Sequence, residues 1–130
     1  MLFKTKILWL SFTLTTLAAI AHFLSLEFFL YWRWFWFDIV VHLMAGGGVG
    51  CMAYWLGEES SVLINKDLSG TKKRIIYFCL AVFVSVGWEV FEYYFHLTDS
   101  RLRYVWSSSK DVLSSMVGIL TVLYLSLIHI

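Results

Sequence analysis

Four apolar runs, each long enough to cross roughly 30 Å of hydrocarbon, make up most of this 130-residue chain and leave it few ways to fold. They extend from Ile7 to Tyr31, Phe35 to Leu56, Ile75 to Phe95 and Val112 to Ile130. Inside hydrocarbon every backbone N–H and C=O must be paired within the protein, so a spanning segment is either a helix or a strand of a closed barrel. Barrel strands alternate over about ten residues, whereas these runs are continuous and contain no proline, which favours helices. The expected fold is all-α: an antiparallel four-helix transmembrane bundle forming a single membrane domain over residues 1–130. A composition that is 60% hydrophobic and 15% charged, with mean hydropathy +0.75, fits that class and not a soluble domain.

The ends and connections orient the chain. Lys4 and Lys6 before an apolar stretch, followed by Ala19-Ile20-Ala21, resemble a cleavable signal peptide, but the run continues past the alanines and is expected to be a span. Between the first two spans lies Trp32-Arg33-Trp34, inside the cluster YWRWFWF, which suits a tight hairpin in an interfacial aromatic belt. The amino terminus and second connection carry Lys4, Lys6, Lys66, Lys72, Lys73 and Arg74, and the other side carries Arg33, Arg101, Arg103 and Lys110. That asymmetry favours both termini in the cytoplasm. Ser107-Ser108-Ser109 with Asp111 reads as the start of the last helix, an acid near the positive end of its dipole.

Composition also removes some function classes. A net charge of +1 is too small for a nucleic-acid partner, which needs a concentrated basic surface. Cys51 and Cys79 sit within apolar runs and are read as small hydrophobes. The expected partners are the lipid bilayer and, where the aromatic surface serves for docking, other membrane subunits or a second copy of the chain. AGGGVG lacks the strand and spacing of a nucleotide-binding loop and is read as close helix packing.

Ionisable residues inside spans are costly and mark candidate sites. On the second helix Asp38 and His42 lie four apart, and Gly46 and Gly50 continue that stripe. On the third, Ser85, Glu89, Glu92 and His96 follow one another at spacings of three or four, and the fourth offers Asp111, Ser115 and Gly118. Alternating helix direction places all the acids near one membrane face, the non-cytoplasmic one. At about 1.5 Å per residue, His42 and Glu89 lie roughly 9 to 10 Å below the boundary, Asp38 and Glu92 roughly 4 to 5 Å below it, and Asp111 at its surface.

Several carboxylates in a confined space repel unless protons, arginines or a metal offset their charge. Asp38, His42, Glu89, Glu92 and Asp111 form an oxygen and nitrogen set suited to zinc, manganese or iron, with Ser85, Ser115, Gly46, Gly50, Arg33, Arg101 and Arg103 supporting or packing around it. A metal there could activate water or hold a phosphate. Two other readings stay open: buried hydrogen bonds and salt bridges to Arg33, Arg101 or Arg103 that only fix helix packing, and proton or cation handling. The acidic surroundings suit a hard cation better than a haem held by His22 and His42, and His129 is read as interfacial.

The D-x3-H pattern of Asp38 and His42 with Gly46, the E-x2-E of Glu89 and Glu92, and Asp111 followed by Ser115 and Gly118 resemble the VanZ-like glycopeptide-resistance superfamily and its small inner-membrane relatives. The likeness covers about residues 35 to 118, and the chain differs in having serine at 115 and no second acid beside Asp111. The resemblance implies a bacterial-type polytopic helical protein of the plasma membrane, with a polar cluster toward one face and a role in tolerance of lipoglycopeptides. The expected function is a small membrane protein that acts on, or senses, an envelope or lipid head-group ligand. The alternative is an accessory subunit of a larger membrane complex, whose intramembrane acids are packing contacts.

Overall fold

The computed structural model describes residues 2–59, 67–97 and 104–128, and all regular structure among them is helical. The elements are α1 (Leu2–Glu27), the single turn α2 (Leu30–Arg33), α3 (Phe35–Glu59), α4 (Gly70–Tyr94) and α5 (Tyr104–Ile128). Four of them are long and apolar enough to cross a membrane, over Thr5–Glu27, Phe35–Glu58, Gly70–Tyr94 and Trp106–Ile128.

Besides α1 starting at Leu2 and α3 running on to Glu59, three boundaries differ from the sequence reading for a plain physical reason. The first helix stops at Glu27 instead of Tyr31, because Phe29 takes a left-handed conformation with φ 55° and the chain restarts as α2. The hairpin is therefore a break followed by one helical turn. At the other end, α4 begins five residues before Ile75, since Thr71, Lys72, Lys73 and Arg74 are compatible with a helix and the basic side chains can carry their charges out to water. Finally, α5 begins at Tyr104, so the serines and Asp111 lie inside a helix and not at its opening. Two hydroxyls of this stretch bond within the helix: Ser107 donates to Asp111 Oδ2 at 3.3 Å, and Ser114 to the Lys110 carbonyl at 2.8 Å. Arg101, Arg103, His129 and Ile130 lie outside the described residues.

The central element is α3, packed against α1, α2, α4 and α5. Its glycines lower its intrinsic helix propensity by about 1 kcal/mol each relative to alanine, and close approach offsets this. A Cβ on Gly46 would lie 2.6 Å from the Ser115 Cα, and one on Gly118 would lie 2.8 Å from the Gly47 nitrogen, so α3 and α5 touch backbone to backbone. Hydroxyls seal the crossings, with Ser115 Oγ donating to the His42 carbonyl at 3.2 Å and Ser11 Oγ to the Gly48 carbonyl at 2.7 Å. An apolar core of Ala53, Tyr54, Tyr77, Ala81, Ile119 and Leu123 fills one half of the structure. In that half Tyr77 also donates to Glu58 Oε1 at 2.8 Å. The other half, where α3 and α5 begin and α1 and α4 end, is left to the polar residues. Outward faces carry bare aromatics such as Phe12, Phe83 (77% exposed) and Tyr124, as helices that meet lipid on one side do.

Candidate functional site

The α3–α5 crossing sets the site. Because the glycine contacts bring the starts of both helices together, Asp38 and His42 on α3 face Lys110 and Asp111 on α5. Lys110 Nζ lies 2.6 Å from Asp38 Oδ2 and 3.3 Å from Asp111 Oδ1. His42 Nε2 lies 3.4 Å from Asp38 Oδ1, one helical turn away, and its Nδ1 lies 3.8 Å from Glu89 Oε1 on α4. One ligand atom each from Asp38, His42 and Asp111 fall within 4.8 Å of one another. All three residues line a cavity of about 410 Å³, together with His22, Tyr31 and Glu92.

Across that cavity α1 and α4 meet through side chains. Glu92, 2% exposed, accepts from Trp88 Nε1 at 2.7 Å and lies 3.5 Å from His22 Nε2. His22 Nδ1 is 2.8 Å from the Tyr31 hydroxyl, which the break at Phe29 brings back over the end of α1. Burial, and after it the charge of Asp38, pushes the Tyr31 phenol above its ordinary range and keeps it protonated. Where that phenol donates to Nδ1, the neutral imidazole carries its hydrogen on Nε2, toward Glu92. Two buried atoms have no hydrogen-bond partner among the described residues, His22 Nε2 and Asp111 Oδ1. Glu92 and Lys110 stand at ion-pair distance from them without the alignment of a hydrogen bond.

The five expected residues thus divide. Asp38, His42 and Asp111 are brought together, Glu89 stands behind His42, and Glu92 faces His22 on the opposite wall. Asp38 pairs with Lys110 and lies beside His42. Asp111 is buried between the helices. Ser85 bonds its own helix at the Ala81 carbonyl, 3.1 Å away, and Arg33 is exposed at the end of α2 with no ion pair among the described residues. Gly50 holds the same crossing as Gly46 more loosely, since its Cβ would stand 3.2 Å from the Ile119 Cα.

Sequence reasoning missed Lys110 as a site member, counting it only as a topological charge. The signal was its place one residue before Asp111, which matters once the helix is known to begin at Tyr104. Tyr31 and Trp88 carried no signal beyond their aromatic character. Chemically, the assembly offers carboxylates and imidazoles to a cation or a hydrogen-bonding ligand in a half-enclosed polar chamber. Comparison with protein families, with curated proteins and with solved structures finds no match to this chain.

Proposed function

We propose that this chain is an integral protein of a bacterial-type plasma membrane with both termini in the cytoplasm. On this reading its polar cavity, near the opposite face, holds a divalent cation and through it the phosphate-bearing head group of an envelope or lipid ligand. The VanZ-like resemblance of Asp38, His42, Glu89, Glu92 and Asp111 points the same way. The observation that carries the reading is the grouping of Asp38, His42 and Asp111 within 4.8 Å on the wall of the cavity. One imidazole and two carboxylates suit zinc, manganese or ferrous iron and leave coordination positions for a ligand. A bound ion would polarise a phosphate oxygen or lower the pKa of a water. Lys110 competes for the same carboxylates, but its side chain is 31% exposed and long enough to withdraw toward water. His42 would be oriented by Glu89 at its other nitrogen, as metal-bound imidazoles are by neighbouring carboxylates.

Elemental analysis and calorimetric titration of purified protein test this, wild type against His42→Ala and Asp111→Asn. The expected result is bound zinc or manganese in the wild type and at least about tenfold weaker binding in each variant. Metal near zero in all three would end the metal reading.

A second reading is favoured by one contact, the Lys110 ammonium between Asp38 and Asp111. There the cluster is a neutralised packing contact, and the chain is an accessory subunit of a larger complex docking through its aromatic faces. A monomer that keeps its full thermal stability in detergent would count against it.

A further inference from the structure

The polar chamber has an apolar neighbour. A second cavity of about 270 Å³ lies over α3, walled by Ala19 and Phe23 of α1 and by Val84 and Trp88 of α4, with Val41 and Ala45 beneath. No Cα of α1 comes within 8 Å of a Cα of α4; the two helices meet through the side chains of His22, Trp88 and Glu92 at the chamber end, and past these the space between them opens sideways, where spans of this kind face hydrocarbon. From Thr15 to His22 on one wall and Val41 to Val49 on the floor, it runs roughly 10 to 12 Å at about 1.5 Å per residue. His22 and His42 belong to the walls of both cavities, so the apolar groove and the polar chamber meet at these two imidazoles.

Two independent features then ask for one amphiphilic occupant. A groove open to a bilayer recovers its lost dispersion contacts only when a chain fills it. On the polar side, His22 and Asp111 line the chamber, and their buried Nε2 and Oδ1 have no hydrogen-bond partner among the described residues: the imidazole N–H can donate to a phosphate oxygen, and the carboxylate oxygen, an acceptor, can meet the cation held with it. A soluble ligand would meet the second demand and leave the first unmet. A bare hydrocarbon would do the reverse.

We propose that the ligand of the chamber is a phosphate-headed membrane lipid that arrives sideways from the bilayer, its head among Asp38, His42, Asp111 and His22 and one hydrocarbon chain in the groove between α1 and α4. This rests on the head-group reading above and adds the lipid class and the path. Because lipid chains are as apolar as the groove, transfer into it gains little from the hydrophobic effect; the head supplies the preference and the groove supplies the fit. The seam imidazoles set how deep the head can sit.

The test uses full-length protein in phosphatidylcholine nanodiscs doped with phosphatidic acid carrying a diazirine in the head-proximal half of one chain. After photolysis, adducts are mapped by mass spectrometry and the metal content of the same preparation is measured. Adducts are expected to concentrate on residues 18–23 and 84–88, about tenfold above the lipid-facing stretch 120–128. Ala19→Phe with Val84→Phe fills the groove from two exposed wall positions, outside the polar cluster. This variant is expected to lose that excess while keeping its metal content and its gel-filtration profile. Diacylglycerol bearing the same diazirine chain is expected to label the two stretches no better than the rest, and glycerol 3-phosphate at the lipid's concentration is expected not to compete. Even labelling along all helices, undiminished labelling in a folded double variant, equal labelling by diacylglycerol, or displacement by glycerol 3-phosphate would each overturn the proposal. Groove labelling in wild-type protein that holds no metal would remove the ion and keep the lipid path. Metal with even labelling would do the opposite.

Discussion

His96 shows how one backbone angle moves a residue out of a site. Its φ of 53° is left-handed, and with Phe95 closing α4 it completes a helix-ending turn. There His96 N donates to the Tyr93 carbonyl at 3.3 Å and Leu97 N to the Glu92 carbonyl at 3.1 Å. Spacing alone set His96 on one stripe with Ser85, Glu89 and Glu92, but that stripe ends with the helix at Tyr94, so the imidazole is exposed. Glu89 and Glu92 were legible because both fall inside the helix, where three- and four-residue spacing holds. A left-handed residue with a Cβ costs about 1 kcal/mol or more, and glycine removes that cost. His96→Gly is therefore expected to stabilise the protein by about 1 kcal/mol, a rise of a few degrees in a detergent melting experiment. An unchanged or lower midpoint would mean that the turn gains something from the imidazole.

At the scale of elements, the glycines make the same kind of argument about helix pairs. Gly46, Gly118 and Gly87 look alike in the sequence, all lying within apolar runs. A Cβ at Gly46 or Gly118 would collide with the backbone of the facing helix, whereas one at Gly87 meets nothing within 4 Å. Gly87→Ala should therefore stabilise α4 by up to about 1 kcal/mol through propensity alone. Gly46→Val or Gly118→Val must push α3 and α5 apart, and overpacking against rigid backbone is expected to cost about 3 kcal/mol or more. Detergent melting of the three variants checks this, and similar midpoints for Gly87→Ala and Gly46→Val would contradict the crossing. Which glycine faces a partner was legible for Gly46 and Gly118, through their stripes with His42 and Asp111. Helix ends were less legible. The break at Phe29 lies in an unbroken aromatic run with no glycine or proline to mark it, and the start of α5 lies ahead of serines that read as a cap.

For the whole molecule, the question is which cation the bundle was built around. Four carboxylates, Asp38, Glu89, Glu92 and Asp111, come from three helices to one end of the fold, an arrangement that helix direction and spacing made legible. The compensating charge was not, because Lys110 joins the cluster only when α5 starts early enough to carry it inward. Lys110 ties α5 to α3 through Asp38, so Lys110→Met leaves two carboxylates facing each other without it. Breaking a fully buried pair costs about 3 to 5 kcal/mol; with the lysine 31% exposed, solvent screening reduces the expected loss to about 1 to 3 kcal/mol. If the same carboxylates also serve a divalent ion, removing their competitor should tighten metal binding. By mass action, saturating zinc or manganese should then raise the melting temperature of Lys110→Met more than that of wild type. Lys110→Met with Asp38→Asn separates the outcomes, since it lifts the unpaired charge and removes one ligand together. It should recover most of the lost stability while losing the response to metal. Recovery with no metal response in any variant would make Lys110 the cation that the fold requires and leave the cluster as packing. A metal response strongest in Lys110→Met and absent from the double variant would make the lysine a placeholder at an ion site.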